Sequence, residues 1–80
     1  MAVPVQDLVA FLARLLVRDP TAVSVDETQD DHSRTFSLRV APDDRGRVIG
    51  KEGRTAKALR TVVAVASARD GMKARLDIVD

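Results

Sequence analysis

Apolar residues recur at helical spacing near the start of the chain. Between residues 4 and 18 they follow the i, i+3, i+4, i+7 rule of an amphipathic helix. Pro4 suits the first turn, and Pro20 ends the helix because proline disfavours a helical predecessor. The stripe predicted to be buried comprises Val5, Leu8, Val9, Leu12, Leu15 and Leu16, with Phe11 at its edge.

The next pattern has a period of two and predicts strands. Residues 21–28 alternate weakly and residues 34–40 alternate clearly. Phe36, Leu38 and Val40 share the apolar face of the second strand. The polar segment between the two runs has the composition of a hairpin turn. We therefore expect two antiparallel strands with one face packed and the other in water.

Two further helices and a strand complete the pattern. Pro42 begins a short helix that stops before Gly50. A longer helix is expected from about residue 54 to residue 69, with Asp70-Gly71 as its stop, and residues 74–78 alternate as a third strand. The apolar stripe of the longer helix comprises Leu59, Val62, Val63 and Ala66.

The predicted order is helix, strand, strand, short helix, helix, strand. Three short strands cannot bury both faces of a sheet in a chain of 80 residues. We therefore expect an α+β fold in which three helices pack on one face of a three-stranded sheet. The length predicts that residues 1–80 form one domain.

Composition excludes several classes of function. The chain has no cysteine and a single histidine, which excludes disulfides, thiolate catalysis and cysteine or histidine metal clusters. No apolar run is long enough to span a membrane, and the N-terminus lacks the order of a signal peptide. We expect a soluble cytoplasmic protein with no membrane association and no cofactor.

The positive charge is concentrated in one segment, although the net charge is only +1. Between residues 45 and 60 the only acidic residue is Glu52, whereas residues 19–44 are predominantly acidic. This distribution favours a local anion site over general attraction to polyanions. The cations of the basic segment are Arg45, Arg47, Lys51, Arg54, Lys57 and Arg60.

A glycine-rich turn, Gly50-Lys51-Glu52-Gly53, joins the short helix to the long one. Two glycines three apart permit a tight turn with little side chain in the way. The turn is expected to deliver unpaired backbone N–H groups at the N-terminus of the helix that begins at Arg54, where phosphate binds readily. Helical spacing places the cations of that helix away from its apolar stripe.

Other interpretations of this turn remain open at this point. Glycine is common at a helix C-cap, and basic residues on a helix are usually its solvated face. A nucleotide-binding loop is disfavoured, because Gly46, Gly50 and Lys51 form a pattern one residue short of a P-loop. Glu52 also stands where a magnesium-binding hydroxyl is needed.

The run from Val40 to Thr55, with Val48-Ile49-Gly50-Lys51-Glu52-Gly53 at its centre, closely resembles the V-I-G-x-x-G signature of KH domains. The predicted element order is similar to that of the type II KH fold. The leading Leu-rich helix and the length resemble small bacterial single-KH proteins of the KhpA type. The resemblance covers essentially the whole chain.

The resemblance implies a protein that binds single-stranded RNA, as an RNA chaperone or post-transcriptional regulator. KH domains clamp about four nucleotides with the G-x-x-G loop. It implies that the glycines shape the loop, that Lys51 and the loop amides meet phosphates, and that Ile49 lies beneath the bases. The strand that carries Phe36 to Val40 should form the far wall of the groove, with Arg39 as a polar contact. The implied RNA-binding residues are Arg39, Arg47, Ile49, Gly50, Lys51, Glu52, Gly53, Arg54 and Lys57.

Two features of the loop region predict weak binding. Glu52 departs from the neutral or basic residue that many KH domains carry, and it must either repel phosphate or turn outward. The chain has no Trp or Tyr, and Phe36 is expected to face the core. Without aromatic stacking, binding must depend on phosphates and aliphatic contacts. We expect weak, salt-sensitive binding of low specificity.

No catalytic constellation is present in the sequence. The paired carboxylates Asp30-Asp31 and Asp43-Asp44 fall in a predicted turn and in the first turn of a predicted helix, so a structural role is favoured over acid–base chemistry. His32 is expected to be exposed in the same turn. The sequence therefore predicts that the protein is not an enzyme.

A small-residue face on the long helix leaves one alternative open. The face comprises Thr61, Ala64, Val65 and Ala68, and it either reflects helix propensity or allows another helix to approach. The resemblance implies self-pairing, or pairing with a KH protein of the KhpB or Jag type. The alternative function is a protein-interaction or ribosome-associated adaptor that does not bind RNA independently.

Overall fold

The computed structural model describes residues 3–68 and 71–79 and has an α+β fold. The predicted order α-β-β-α-α-β is confirmed, with three helices on one face of a three-stranded sheet. Arg69 and Asp70, at which the long helix was expected to stop, lie outside the described residues. The elements are α1 (Val5–Leu16), β1 (Ser24–Gln29), β2 (Ser33–Arg39), α2 (Arg45–Ile49), α3 (Arg54–Ser67) and β3 (Lys73–Val79). Short 3-10 turns span Pro20–Ala22, Pro42–Asp44 and Lys51–Gly53.

The central strand of the sheet is β2. It pairs antiparallel with β1, as predicted, and parallel with β3, so that Phe36 lies opposite Glu27 on one side and Leu76 on the other. Parallel neighbours need a long crossover connection, and the segment that carries α2 and α3 supplies it. The helices consequently lie over one face, while the other face presents mainly polar side chains such as Ser37 and Asp77.

The hairpin between β1 and β2 is held by Asp30. Its carboxylate accepts the backbone N–H groups of His32 at 2.8 Å and Ser33 at 2.7 Å, and also the Ser33 hydroxyl. The N–H of His32 is the largest cause of the lowering of the Asp30 pKa below its ordinary value. This bonding is the turn chemistry of an aspartate, and the structural interpretation of this carboxylate is confirmed.

The core is centred on β2, where Phe36 and Leu38 are fully buried as predicted. The packing of α1 differs from the prediction. Ala10 and Ala13 are buried, whereas Leu15 is 68% exposed. The two alanines let α1 lie close to its neighbours, which turns the leucines toward the side of the helix. Leu12 and Leu16 pack only partly against the core.

The buried face of α3 is also rotated relative to the prediction. Leu59 and Val63 are buried as expected, but Val62 and Ala66 are only half-buried. Ala56 and Ser67 take their places in the core. The helix therefore packs through smaller side chains than its apolar stripe indicated, where it contacts both α1 and β3.

Asp44 is a buried carboxylate, with 2% of its surface exposed. One oxygen accepts the N–H of Arg18 at 3.2 Å and the other accepts the N–H of Asp19 at 3.0 Å. The Nε atom of Arg47 lies 3.5 Å from the first oxygen. The Asp19 N–H contributes most to holding the pKa of Asp44 below its ordinary value. Asp44 thus ties the segment after α1 to the start of α2, a role that the sequence pattern did not predict.

This tie predicts acid-sensitive stability. Because the pKa of Asp44 is lower in the folded state, its contribution is complete above the unfolded-state pKa and is lost as the pH falls through the folded-state pKa. We expect Asp44→Asn to be less stable at neutral pH and to lose less stability than the parent between about pH 7 and pH 3. Urea unfolding at the two pH values measures both effects.

The matched control is Asp43→Asn, because the neighbouring Asp43 is exposed and its carboxylate makes no recorded hydrogen bond within the described ranges. It should unfold like the parent protein at both pH values. If Asp44→Asn showed the same loss on acidification as the parent, Asp44 would not be a source of the acid sensitivity.

Candidate functional site

The turn between α2 and α3 has an unusual backbone. Gly50 has φ 77° and ψ 173°, Glu52 has φ 58° and ψ 26°, and Gly53 has φ 74° and ψ 13°. Three positive φ values among four consecutive residues bend the chain sharply, and glycine adopts two of them without the Cβ penalty. The N–H of Gly53 donates to the carbonyl of Gly50 at 3.1 Å, which closes the turn.

The backbone donors of the turn differ in whether they have an acceptor. The N–H groups of Gly50, Gly53 and Arg54 donate to carbonyl oxygens within the α2–α3 segment. The N–H groups of Lys51 and Glu52 have no recorded acceptor in the described part of the chain. A helical residue followed by a left-handed one directs successive N–H groups into a concavity that suits an anion. The turn therefore offers two donors just before α3, whereas the N–H of Arg54, the first residue of α3, donates to the Lys51 carbonyl oxygen.

The cations near the turn differ in how they are paired. Lys51 and Lys57 are exposed, and neither forms an ion pair with any residue that the structure describes. The Nη2 atom of Arg54 lies 3.6 Å from Glu52 Oε2, and Arg47 is paired with Asp44. Glu52 therefore turns toward Arg54 and partly neutralises it. Lys51 and Lys57 are the cations most available to a phosphate.

The two apolar residues before the turn have separate positions. Val48 is fully buried, whereas Ile49 is 41% exposed beside Gly50. An exposed branched side chain beside a basic turn offers an aliphatic surface on which a flat ring can lie. Ile49 therefore lies directly before the glycine turn with part of its side chain accessible.

The structure does not bring Arg39 together with the turn. Its neighbours Leu38 and Val40 are buried under the helices, so Arg39 lies on the opposite face of the sheet. Its strand, β2, is central, and the strand against which α3 mainly packs is β3. The expectation that the Phe36–Val40 strand forms the far wall of a groove beside α3 is therefore corrected, because β3 occupies that position.

A cleft of about 350 Å³ lies between α3 and β3. It is lined by Arg60 from the helix and by residues 74–77 from the strand. Sequence reasoning counted Arg60 among the cations but did not assign it to the site, because periodicity along the chain does not reveal which strand lies beside which helix. Knowledge of the parallel β2–β3 pairing was the missing signal.

Two kinds of feature were not found among the described residues, a metal-binding group and a membrane-spanning helix. Within residues 3–68 and 71–79, no group of three histidine or acidic side chains is placed to hold a metal ion. In the same ranges, no helix is long and apolar enough to cross a membrane.

Comparison with known proteins identifies a family. Residues 6–78 match the model of the KhpA/KhpB KH domain. A protein from Halalkalibacterium halodurans named RNA-binding protein KhpA is 52% identical over 73 residues, which cover 91% of this chain and 96% of that protein. Its namesake from Clostridium perfringens is 42% identical over 74 residues, which cover 92% of this chain and 99% of that protein.

Solved structures of Era have a similar fold. A crystal structure of Aquifex aeolicus Era bound to GDP and aluminium fluoride superposes with a TM-score of 0.68 at 17% identity. A complex of Era with MgGDPNP and a segment of 16S ribosomal RNA gives 0.66 at 16% identity. The matches cover 98% and 94% of this chain, but this chain spans only 31% and 30% of the two Era chains. The likeness therefore concerns the fold alone.

Proposed function

The chain belongs to the KhpA/KhpB KH-domain family, and from this we propose that it binds single-stranded RNA through the Gly50–Gly53 turn. The observation that carries the proposal is the exposed concave turn, in which two unpaired backbone N–H groups lie beside unpaired lysines. We propose that residues 1–80 act as one KH domain. Its role is that of a cytoplasmic RNA chaperone or post-transcriptional regulator, without catalysis or a cofactor.

Each residue of the turn has a distinct part in this proposal. The N–H groups of Lys51 and Glu52 donate to one phosphate, and the Lys51 ammonium neutralises it. Lys57 and Arg54, on the first turns of α3, meet neighbouring phosphates. Ile49 supports a base from below through apolar contact. Gly50 and Gly53 make no contact through side chains and instead let the RNA backbone approach the turn closely.

The contributions of the remaining predicted contacts are smaller. Arg47 is shared with Asp44, so part of its charge is already compensated within the protein. Arg39 lies on the opposite face of the sheet and could reach only RNA that wraps around its edge. The only two phenylalanines do not serve as a platform at the turn, because Phe36 is buried and Phe11 lies on α1. Binding therefore depends mainly on phosphates.

We expect this binding to be strongly salt-sensitive. Two or three phosphate contacts predict a slope of about −1.4 to −2.1 for log affinity against log salt, from about −0.7 per contact with a single strand. The affinity should fall roughly 7- to 20-fold between about 50 and 200 mM salt. Fluorescence polarisation with a short labelled single-stranded RNA measures the slope. Nanomolar binding that ignores salt would contradict the proposal.

We also propose that the protein pairs with a second copy of itself or with a KH protein of the KhpB type. The support is a solvent-exposed small-residue face on α3, on which Val65 is 70% exposed. Thr61 keeps this face nearly apolar because its hydroxyl donates to the Lys57 carbonyl at 3.1 Å. A strictly monomeric mass at high micromolar concentration would contradict self-pairing.

One observation favours the adaptor as a second candidate function. An apolar groove of about 260 Å³ runs between α1 and α3, beside the exposed Leu15. An adaptor would bind protein through such a groove and would meet RNA only within an assembly. In that case the isolated chain would show no binding in the salt titration. The groove is lined by Leu12, Leu15, Leu16, Thr55, Ala58, Leu59 and Val62.

A further inference from the structure

The phosphate-binding turn contains one acidic side chain among many basic ones. Between residues 45 and 60, Glu52 is the one carboxylate among six cations. Its side chain is 69% exposed, and its Oε2 atom lies 3.6 Å from the Nη2 atom of Arg54. The negative charge therefore stands beside a cation that is proposed to meet phosphate. It weakens the attraction of the turn for every polyanion.

The backbone keeps this charge close to the phosphate donors. Glu52 has φ 58° and ψ 26°, and it is the one residue other than glycine with a positive φ in the part of the chain that the structure describes. Its own N–H is one of the two donors with no recorded acceptor in the same ranges. A phosphate bound to that N–H cannot lie far from the carboxylate, because a single side chain joins the two. Repulsion between them is consequently built into the turn.

A fixed negative charge disfavours a ligand in proportion to the charge that the ligand brings. A duplex has two phosphate strands along one axis, and in DNA this gives one charge per about 1.7 Å against about 3.4 Å for each strand. A duplex therefore brings about twice the charge of a single strand to the same length of turn. Because the electrostatic free energy scales with charge, the factor by which Glu52 lowers duplex affinity is about the square of the factor for a single strand.

From these observations we infer that Glu52 is a specificity-determining residue, which makes the turn discriminate against double-stranded RNA and in favour of a single strand. Repulsion of one ligand class is a common source of specificity. The inference depends on the proposed function, because it concerns RNA held at the Gly50–Gly53 turn. A single strand offsets the repulsion, since its unpaired bases can contact the exposed side chain of Ile49. The bases of a duplex stay stacked, so the turn meets mainly its phosphates.

The test compares one RNA in its single-stranded and double-stranded forms. A labelled strand of about twelve nucleotides, alone and as the blunt duplex with its complement, is titrated with the full-length protein by fluorescence polarisation. The parent protein should bind the single strand more tightly. Glu52→Gln keeps the shape of the side chain and removes its charge. It should raise single-strand affinity about two- to threefold and duplex affinity about four- to ninefold, so that the preference for the single strand falls at least about twofold.

A second variant and a control accompany Glu52→Gln. Glu52→Asn also removes the charge, and asparagine readily adopts the left-handed conformation, so this variant should reduce the preference as well. The matched control is Asp31→Asn, which removes one negative charge from an exposed residue of the β1–β2 hairpin. The carbonyl of the next residue, His32, accepts the N–H of Lys73 at the start of β3, beyond the C-terminal end of α3, whereas the turn precedes the N-terminal end. The control should leave the preference unchanged, and circular dichroism melting checks that all variants fold.

Three results would overturn the inference. The parent protein could bind both forms equally, the Glu52 variants could raise both affinities by the same factor or leave them unchanged, or Asp31→Asn could lower the preference as much as the Glu52 variants do. In each case, binding of the single strand by the parent protein leaves the proposed function standing. If the parent protein binds neither form, the proposed function and the inference are both overturned.

Discussion

Replacing Lys51 and Glu52 together by aspartate is expected to lower the affinity for single-stranded RNA by at least about tenfold, which corresponds to the loss of one hydrogen-bonded contact to a charged group. Lys51→Asp removes an exposed ammonium that has no ion pair within the described residues and puts a carboxylate beside the unpaired N–H groups. Glu52→Asp keeps the charge and suits the left-handed conformation at that position. The turn should therefore keep its shape while it repels phosphate.

The control for net charge is Lys73→Asp. Lys73 is exposed at the start of β3, on the side of the molecule that does not carry the turn, and its replacement changes the net charge as much as the double variant does. Polarisation titrations of the parent and both variants at one salt concentration give the comparison. Crosslinking to RNA in cells makes the same comparison of the parent and both variants inside the cell. If crosslinking by the double variant matched that of the parent, RNA binding through the turn would be refuted and the adaptor would be favoured.

Gly50→Ala is expected to be the most destabilising single substitution in the turn. A Cβ at this position would lie 2.7 Å from the Thr55 Cβ and 2.9 Å from the Thr55 backbone nitrogen, distances that real Cβ atoms do not adopt. The backbone, with φ 77° and ψ 173°, also lies in a region that is essentially confined to glycine. Strain and overlap together should cost about 2–5 kcal/mol of the free energy of unfolding. For a chain of this length that is a large fraction of the total.

Two other glycines provide matched controls for this prediction. At Gly53 a Cβ would meet nothing within 4 Å, so Gly53→Ala should cost only the left-handed penalty of about 1–2 kcal/mol. At Gly46, inside α2, a Cβ also meets nothing and φ is not positive, so Gly46→Ala should stabilise by about 0.5–1 kcal/mol. Urea unfolding of the three variants measures the order. If Gly50→Ala and Gly53→Ala lowered the free energy of unfolding equally, the overlap with Thr55 would not contribute to the cost at Gly50.

The element order could be predicted from the sequence because it depends on local periodicity. Alternation identified the strand with Phe36 and Leu38, and proline and glycine placed the ends of α1 and the turn before α3. The same patterns did not predict correctly which side chains are buried where the packing of one element against another determines burial. Leu15 follows the helical stripe but is exposed, because Ala10 and Ala13 let α1 approach the core along a different line.

Part of the candidate site could also be predicted, because that part depends on local sequence. The V-I-G-x-x-G motif is local, and it identified the turn, the cations around it and the exposed Ile49. The wall beside α3 depends on which strand pairs with β2 in parallel, and no pattern within a single segment contains that information. The sequence interpretation therefore took the strand that carries Arg39 as the wall, and it did not assign Arg60 to the site. Asp44 was missed because its partners lie 25 and 26 residues earlier in the chain.

The pairing of Glu52 with Arg54 affects how many phosphate contacts can be inferred from the salt titration. A sodium or chloride ion that leaves a charged group is diluted into the solvent, and this dilution is the source of the salt slope. Glu52 is a counter-ion tethered to the same chain, so a phosphate that displaces it from Arg54 releases nothing into solution. The Arg54 contact should therefore add little to the slope even where it adds to affinity. The slope will then report fewer contacts than the RNA makes.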